Sequence, residues 1–556
     1  MKKKILPLGE DDFRLIREKE KGSYYVDKTL MIRDFLDYEN AVTLITRPRR
    51  FGKTLNMTMI RDFFDITQDS RKIFHGLAIM ETEYADKINS TPVVSLSLKD
   101  CVGKTLAELE ASIAEVVFKE YKKYGKYLAN VDKEDAAYLR FFQTLEILES
   151  KKENEERQVH LQKNIIYLRN SIAYLIEALH TFYGVRPIVL IDEYDNPIIE
   201  AHLGGYRKEF TSFYAAFLTV FLKGNSDLGQ AMLTGIQRVA KASIFSKLNN
   251  IVVYTVLDHH YSQYFGLTTE ETATLLKHYD LELNDEVASY YDGYSFSGVE
   301  VYNPWSILSY AEKKKMRSYW VKTSDNVLIK ESLLSAEYSF HRLFERLIKN
   351  GEAEVQANLE ASFSELPETS TLWGLFINAG YLTVIHEDLE FDLLTVRIPN
   401  KEVAGEFRNL VSHYTKLSSQ KLQEMLKALV YGEIDTFLDV YRELVLESTS
   451  YHDAKENAYH MLMLGMIMQL REIYKITSNI ESGHGRSDII LESKESSRCH
   501  IIIEFKQGDD VEKLKHDALE QIKNKKYYTG LKGNILLIGI AHEKKKCQLV
   551  HEMISH

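Results

Sequence analysis

The stretch TRPRRFGKTLNM, Thr46–Met57, contains residue types that bind phosphate. Gly52, Lys53 and Thr54 match the end of a phosphate-binding loop, in which the lysine reaches the terminal phosphates and the hydroxyl holds Mg²⁺. That pattern also requires a glycine five places before Gly52, where this chain has Arg47. The residues alone therefore leave two interpretations, a nucleotide site or a basic turn that happens to contain Gly-Lys-Thr.

A second candidate set follows the apolar run PIVLI, where Asp192 and Glu193 end a predicted buried strand. In a Walker B site the first carboxylate orients the Mg²⁺ shell and the second polarises the attacking water. Another buried strand is expected to end just before Thr46, and helix-forming residues follow Lys53 and Thr54, so backbone amides would converge on anionic oxygens there. An acidic helix start is the alternative for Asp192 and Glu193, but both motifs together predict binding of ATP and Mg²⁺.

A third set lies in GRSDIILESKESSRCHIIIEFK, where Asp488 opens one predicted strand and Glu504 and Lys506 end the next. Side chains at i and i+2 of a strand share a side, so Glu504 and Lys506 face one place while Phe505 faces the core. Two carboxylates and a lysine are able to bind one or two Mg²⁺ ions, which hold a phosphodiester and lower the pKa of an attacking water. An exposed strand with ordinary charges is the alternative for this pattern.

The helices around this third set add further candidates. Glu456, on the preceding helix, would supply another carboxylate, and Gln521, on the following helix, would contact the water or the DNA backbone. Lysines also cluster on or near that following helix, where they track DNA phosphates or form a solvated helix face; they are Lys513, Lys515, Lys523, Lys525 and Lys526.

Composition limits the class of protein. A chain of 556 residues fits two or three domains, and its net charge of −11 argues against indiscriminate coating of nucleic acid, so any DNA contact must be local. The three cysteines are widely spaced, which indicates neither a disulfide framework nor a zinc cluster. The amino-terminal residues lack an apolar run of the length of a signal peptide or a membrane span, which predicts a cytoplasmic protein with no membrane partner.

Five short apolar runs predict the strands of a parallel α/β sheet; they are AVTLI (41–45), PVVSLSL (92–98), PIVLID (187–192), AMLTG (231–235) and IVVYTVL (251–257). Residues 139–182 have the pattern of a pair of long helices. Helical patterning dominates from about residue 261 to 430. From about residue 451 the pattern predicts a helix, a glycine-containing turn, strands at 487–491 and 500–505, a helix at about 511–528 and a last strand at 534–540.

RPRRFGKT, LIDEYDNP, TGIQRVAKASIFSKLNN, and YYDGYSF with YNPWSIL resemble the bacterial AAA-ATPase-like family over most of residues 5–330. The resemblance implies a nucleotide-binding loop in which Arg47 and Pro48 replace the flexible first turn with a stiffer, basic one; the loop residues are Arg47, Pro48, Arg49, Arg50, Phe51, Gly52, Lys53 and Thr54. Thr234 matches the position of a polar sensor of the γ-phosphate. Arg238 or Lys241 would act as a sensor or arginine finger, and a helix-surface cation is the alternative.

Residues of about 440–540 resemble the PD-(D/E)xK nuclease superfamily through GRSD, IIEFK and QIKNKKYY. Ser487 stands where the superfamily has its nominal proline, and the acidic residue after it is intact. The resemblance implies a restriction-endonuclease-like fold that acts on DNA, with Asp488, Glu504, Lys506 and Gln521 as catalytic residues and Glu456, Asp488 and Glu504 as metal ligands.

The sequence thus predicts a P-loop ATPase domain with a parallel sheet over residues 1–260, a helical lid and linker region over 261–430, and a small α/β nuclease-like domain over 431–556. The predicted protein hydrolyses ATP and cleaves DNA under the control of its nucleotide state, in defence or mobile-element biology by analogy alone. Related ATPases suggest a homo-oligomer. The rival is a nucleotide-dependent switch whose carboxy-terminal domain binds nucleic acid or protein without cleaving it.

Overall fold

The computed structural model describes residues 4–19, 22–149, 154–237, 250–320, 351–360, 368–406, 419–448, 473–482, 485–543 and 546–556, with single positions between 329 and 347 and between 463 and 470. The chain divides into two compact units. The first comprises Met1–Ser324, Gln356–Leu394 and Pro399–Glu402, and the second comprises Asp325–Val355, Thr395–Ile398 and Val403–His556. The three domain ranges predicted from the sequence stay a prediction.

The first unit contains a five-stranded sheet whose strands are β1 Val42–Thr46, β2 Val93–Ser97, β3 Ile188–Asp192, β4 Gln230–Gly235 and β5 Ile251–Tyr254. Every neighbouring pair is parallel, in the order β2-β3-β4-β1-β5. β1 and β3 are buried along their whole length, as continuous aliphatic runs require when helices cover both faces. The predicted parallel α/β sheet is confirmed.

The strand order determines which loops meet at one edge of this sheet. β4 lies between β1 and β3, and the β1–β4 register pairs Ile45 with Thr234. The carboxyl ends of these three strands therefore lie side by side, which is the edge where ligands bind in open parallel sheets.

The helices of the first unit are α1 Phe13–Glu18, α2 Leu30–Asp37, α3 Lys53–Phe64, α4 Arg71–Phe74, α5 Leu106–Gly125, α6 Ala136–Leu148, α7 Asn154–Lys163, α8 Ile165–Tyr183, α9 Asn196–Leu203, α10 Arg207–Leu222, α11 Thr269–His278, α12 Asp285–Tyr291, α13 Pro304–Lys313 and α14 Thr369–Asn378. The segment predicted as two long helices contains three, α6, α7 and α8. The extra break lies at Asn164, whose backbone leaves the helical region and whose Nδ2 donates to the carbonyl of His160 at 2.9 Å.

The middle of the chain contains short strands as well as the expected helices. They are β6 Leu267–Thr268, β7 Tyr294–Phe296, β8 Val299–Tyr302, β9 Glu352–Val355, β10 Thr383–Asp388 and β11 Leu393–Arg397. β7 and β8 form a hairpin through Ser297 and Gly298, whose φ angles of +50° and +83° match a two-residue hairpin turn. This hairpin was not predicted, because helical patterning dominates the sequence around it.

The second unit contains the helices α15 Ser419–Tyr431, α16 Ile434–Ser448 and α17 Val511–Lys525 and the strands β12 Tyr474–Ser482, β13 Gly485–Ser493, β14 His500–Gln507, β15 Asn534–Glu543 and β16 Lys546–Ser555. The strands form one sheet in numerical order, in which β14 and β15 are parallel and the other pairs are antiparallel. Three of these strands were predicted, and the edge strands β12 and β16 were not.

Both faces of this second sheet are covered. Ile489, Ile501 and Phe505 belong to a core shared with α15 and α16, whereas Ile490 and Ile502 pack with α17. Burial on both faces explains the unbroken apolar run in β14. Within the described parts of the chain, every helix is too short or too polar to cross a membrane.

Candidate active sites

The first candidate site begins where β1 passes into α3. Gly52 precedes the helix with a φ of +87°, a left-handed conformation that favours glycine, and Lys53 is the first helical residue. The Gly-Lys-Thr triplet therefore lies at a strand-to-helix turn, with the helix N-terminus directed to the carboxyl edge of the sheet. This geometry is suited to anionic oxygens.

The ammonium of Lys53 is buried inside this turn. Its Nζ donates to the carbonyl oxygens of Arg47 at 2.9 Å and Pro48 at 3.0 Å, and the residue is 6% exposed. Burial lowers the pKa of Lys53, while the carboxylates of Glu193 and Asp192 act against that shift. The cation is thus held between the loop backbone and the acidic end of β3.

Asp192, at the end of β3, joins the first turn of α3 to the end of β4. Its Oδ2 accepts a hydrogen bond from Thr54 Oγ1 at 2.6 Å, and its Oδ1 accepts one from Thr234 Oγ1 at 2.5 Å. Asp192 is 4% exposed and Thr234 is fully buried, so solvent does not compete for the bond between these two residues, whereas Thr54 is half-buried. A carboxylate and two hydroxyls supply the hard oxygen donors that Mg²⁺ prefers, and the donor set fits that ion.

Glu193 has an uncommon backbone conformation for a residue with a side chain. Its φ is +52°, and left-handed non-glycine residues persist where the surrounding structure holds them, often at functional sites. Burial raises the pKa of the Glu193 carboxyl, and Lys53 is the first of the charges that lower it. A partly buried carboxylate beside a buried ammonium is able to accept a proton from water.

Arg47, which replaces the first glycine of the loop pattern, is fully buried. Its Nη1 donates to the carbonyls of Thr46 at 2.8 Å and Tyr254 at 3.1 Å, and its Cζ lies 5.5 and 5.2 Å from the ring centroids of Phe265 and Phe296. Burial lowers the pKa of Arg47 to about 9. These contacts anchor the start of the loop, and added charge near the phosphates stays a prediction for this residue.

The other loop residues contact aromatic side chains or a glycine of the first unit. Trp320 Nε1 donates to the carbonyl of Arg49 at 3.2 Å, and the Arg50 guanidinium lies 4.5 Å from the ring centroid of Trp305. Pro48 lies against Gly380, where a side chain would meet the proline ring.

Phe51 is buried, and its ring packs edge-on against Tyr294 at 4.9 Å. Residues that follow the parallel sheet in the sequence therefore pack against the loop, in addition to β1 and α3, which flank it. Arg238 and Lys241, the predicted sensor or finger residues, lie outside the described residues.

The second candidate site lies on the face of the second sheet that packs with α17. The β13–β14 register pairs Ile489 with Ile503, which sets Asp488 opposite Glu504. Asp488 N donates to Glu504 Oε2 at 3.2 Å, and Phe505 N donates to Asp488 Oδ2 at 2.7 Å. Each carboxylate thus accepts a hydrogen bond from a backbone N–H of the neighbouring strand.

Lys506 and Gln521 both reach Glu504. Lys506 Nζ lies 3.9 Å from Glu504 Oε1, and Gln521 Nε2 donates to the same oxygen. Gln521 Nε2 also donates to the hydroxyl of Tyr527 at 3.1 Å. Glu504 is 2% exposed, so this buried carboxylate depends on those donors.

A glycine brings α17 close enough for the Gln521 contact. Gly539 is the β15 partner of Glu504, and a side chain there would place its Cβ 2.7 Å from the backbone N of Leu519. The close approach of helix and strand at this point sets Gln521, two residues further along α17, within reach of Glu504.

The donor set of Asp488 and Glu504 consists of oxygens and fits Mg²⁺. In the portion of the chain that the structure describes, three or more His, Cys, Asp or Glu residues do not gather into a metal-binding group. Glu456, the predicted third carboxylate, lies outside that portion.

Two of the five clustered lysines near α17 have acidic partners. Lys515 Nζ is 2.6 Å from Glu512, and Lys523 Nζ is 2.6 Å from Glu552. The remaining three are exposed; they are Lys513, Lys525 and Lys526. Ion pairing and solvation account for this face, and DNA phosphate contacts by it stay a prediction.

Tyr194, Asp195 and Tyr527 have no role predicted from the sequence, although each lies next to one of the two sites. Tyr194 and Asp195 follow Glu193 directly, and their partners belong to the segment after β4. Tyr527 lies six residues after Gln521. An acidic residue two places after Glu193 and a tyrosine at the end of a helix were the available signals, and neither specifies a partner.

Comparisons with known proteins identify two parts of the chain. Residues 7–245 match the family model described as Predicted AAA-ATPase, and residues 454–552 match that of the PD-(D/E)XK nuclease superfamily. Both family resemblances seen in the sequence are confirmed. A protein from Azotobacter chroococcum mcd 1, named "Uncharacterized protein in vnfD 5'region", is 26% identical over 548 residues, which cover 95% of this chain and 93% of the relative. The chain therefore combines a nucleotide-binding, AAA-ATPase-like region with a nuclease-like region.

Proposed function

We propose that this chain binds ATP with Mg²⁺ at the Arg47–Thr54 loop and hydrolyses it. The observation that carries the proposal is the pair of bonds that Asp192 accepts from Thr54 and Thr234. They bring a Walker A hydroxyl, a Walker B carboxylate and a sensor hydroxyl to one point, as phosphoryl transfer requires. When bound, Mg²⁺ would neutralise charge on the β- and γ-phosphate oxygens.

The protein residues have separate roles in this proposal. The Lys53 ammonium would exchange its two carbonyl partners for phosphate oxygens, and Thr54 and Asp192 would hold Mg²⁺. Glu193 orients and deprotonates the attacking water, for which its raised pKa and its position next to Asp192 are suited. Arg238 or Lys241 would supply positive charge to the transferred phosphoryl group.

We further propose that the second site hydrolyses phosphodiester bonds of DNA. Asp488 and Glu504 would hold a divalent cation, with Glu456 as a further ligand, and Lys506 would position the water or neutralise charge. Gln521 keeps the Glu504 carboxylate oriented, as the hydrogen bond from its amide indicates. When bound, the cation would lower the pKa of the attacking water.

Nucleotide state would control this cleavage, and a second copy of the chain would complete the ATPase site, as in related ATPases. Control requires that ATP bind the cleaving and idle states with different affinities, because a ligand that binds both equally shifts neither. A role in defence or mobile-element biology rests on analogy alone.

Two assays on the full chain test these activities separately. Release of phosphate from ATP, in Mg²⁺ and in EDTA, tests the ATPase. Incubation with single- and double-stranded DNA and RNA, with Mg²⁺ or EDTA, tests the nuclease and identifies its substrate. Binding of nucleic acid with no metal-dependent cleavage of any substrate would contradict the nuclease proposal and favour a nucleotide-dependent switch.

A further inference from the structure

The turn that follows β3 holds the backbone that follows β4. Asp195 Oδ2 accepts hydrogen bonds from Ile236 N at 2.8 Å and Gln237 N at 2.9 Å. The Tyr194 hydroxyl donates to the carbonyl oxygen of Gln237 at 2.6 Å. Both backbone groups of Gln237 are therefore bound by two successive residues of the Walker B turn. We name these contacts, between Tyr194, Asp195 and Gly235–Gln237, the β3–β4 clasp.

The clasp is buried and closely packed. Tyr194 is fully buried and Asp195 is 2% exposed. The hydroxyl of Tyr214 in α10 donates to the carbonyl of Tyr194 at 2.7 Å, which ties the turn to a helix. A side chain at Gly235 would place its Cβ 2.7 Å from Asp195 Oδ1, so the approach of the two segments requires glycine. Such packing fixes the two segments relative to one another.

The clasp joins groups on which the proposed ATPase reaction depends. Glu193 directly precedes Tyr194, and its left-handed backbone needs surroundings that hold it. Thr234 directly precedes Gly235, and its carbonyl accepts a hydrogen bond from Tyr194 N at 3.0 Å. A shift in the clasp would therefore move the general base and the γ-phosphate sensor relative to each other.

We propose that Asp195 is a positioning residue for phosphoryl transfer, which fixes the end of β4 against the Walker B turn and thereby sets Thr234 relative to Glu193. The inference rests on the proposed ATPase function. Asp195 acts through the backbone that it binds. Burial raises the pKa of its carboxyl, and the two backbone N–H groups act against that rise, which supports their role in holding the charged form.

Asp195→Ala and Asp195→Asn test the inference in the full chain. The alanine variant loses both acceptor bonds, and a small displacement of catalytic groups reduces turnover by about a hundredfold. The asparagine variant keeps a carbonyl oxygen that accepts from the same N–H groups, so we expect it to recover at least about tenfold of that loss. Affinity for Mg²⁺-ATP should stay within about threefold of wild type in both variants, because Lys53 and Thr54 are untouched.

Asp65→Asn and Asp65→Ala are the matched controls. Asp65 is also 2% exposed, and its Oδ1 accepts from Thr67 N at 3.0 Å and Thr67 Oγ1 at 2.8 Å. It thus holds a turn as Asp195 does, but at the far end of α3 and without joining β3 to β4. Thermal unfolding of all four variants identifies any that fail to fold, and we expect normal turnover from the folded Asp65 variants.

Each outcome bears on the inference. A kcat that falls in Asp195→Ala, recovers in Asp195→Asn and is unchanged in the Asp65 variants supports it. An unchanged kcat in a folded Asp195→Ala variant overturns the inference but does not contradict the proposed ATPase function. Equal losses of kcat in the Asp195 variants and the Asp65 variants also overturn the inference, since they indicate general structural damage. A loss of ATP affinity as large as the loss of kcat overturns it for the same reason. Absence of turnover by wild type refutes the proposed function, and the inference with it.

Discussion

Replacement of Thr234 by valine tests whether the sensor hydroxyl orients Asp192. Thr234 is fully buried, and its Oγ1 donates to Asp192 Oδ1 at 2.5 Å. Valine preserves the branched shape of the side chain and removes the hydroxyl. One oxygen of a buried carboxylate then loses its donor, while the bond from Thr54 to the other oxygen remains.

The magnitude follows from the burial of both partners. A hydrogen bond to a charged group contributes about 1.5–3 kcal/mol, so the free energy of unfolding should fall by about 2 kcal/mol. If the same interaction orients Asp192 during phosphoryl transfer, a loss of about 2 kcal/mol in the transition state lowers kcat roughly 30-fold. Affinity for ATP should change little, because Lys53 carries the contact with the ground-state phosphates.

Steady-state ATP turnover and urea unfolding measure these two quantities. Thr272→Val is the control: Thr272 is fully buried in α11, and among the described residues its Oγ1 has no hydrogen-bond partner. Its loss should therefore leave kcat unchanged. A kcat for folded Thr234→Val equal to that of Thr272→Val would refute the role of the hydroxyl in catalysis.

Three further predictions concern Glu193 with Lys53, Gln521, and His542. Glu193→Gln should bind ATP at wild-type affinity and lose turnover, whereas Lys53→Ala should lose binding itself; equilibrium binding and phosphate release separate the two, and normal turnover by the glutamine variant removes Glu193 from catalysis. Gln521→Ala, which deprives Glu504 of its amide donor, should raise the Mg²⁺ concentration for half-maximal cleavage about tenfold or more in a magnesium titration, and an unchanged midpoint contradicts this. Burial lowers the pKa of His542 from 6.5 to about 3, so an unfolded chain binds a proton below about pH 6.5 that the folded chain does not. Wild type should therefore lose about 2 kcal/mol of unfolding free energy between about pH 7 and pH 5. A double variant with phenylalanine at His542 and at its partner Tyr441 should not show this loss. Calorimetry at both pH values measures the two losses, and equal losses would contradict the prediction.

The sequence predicted the strands that are buried on both faces. β1, β3 and β14 contain short runs of mainly apolar residues, because most side chains along them meet a core. β16 lies at a sheet edge and mixes buried, intermediate and exposed residues, so its pattern resembles that of a polar segment. Burial on both faces thus made β1, β3 and β14 recognisable from the sequence.

The candidate sites divide in a similar way. Lys53, Thr54 and Asp192 were identifiable because their chemistry requires fixed residue types at strand ends. The clasp of Asp195 on Ile236 and Gln237 was not, since it joins residues 41 and 42 positions apart through backbone N–H groups, which every non-proline residue has. A hydrogen bond to a backbone N–H does not require a particular residue type at that position, so it cannot be recognised in a single sequence.

We propose that one chain couples an ATPase site to a nuclease site. The most direct test of this coupling is cleavage of DNA by wild type, Asp488→Ala and Lys53→Ala at matched protein and Mg²⁺ concentrations, with and without ATP. We predict metal-dependent cleavage by wild type that changes with ATP, none by Asp488→Ala although it still hydrolyses ATP, and cleavage by Lys53→Ala that no longer responds to ATP. Undiminished cleavage by Asp488→Ala would refute the proposed nuclease site. Equal cleavage by wild type and Lys53→Ala under every nucleotide condition would refute its control by ATP.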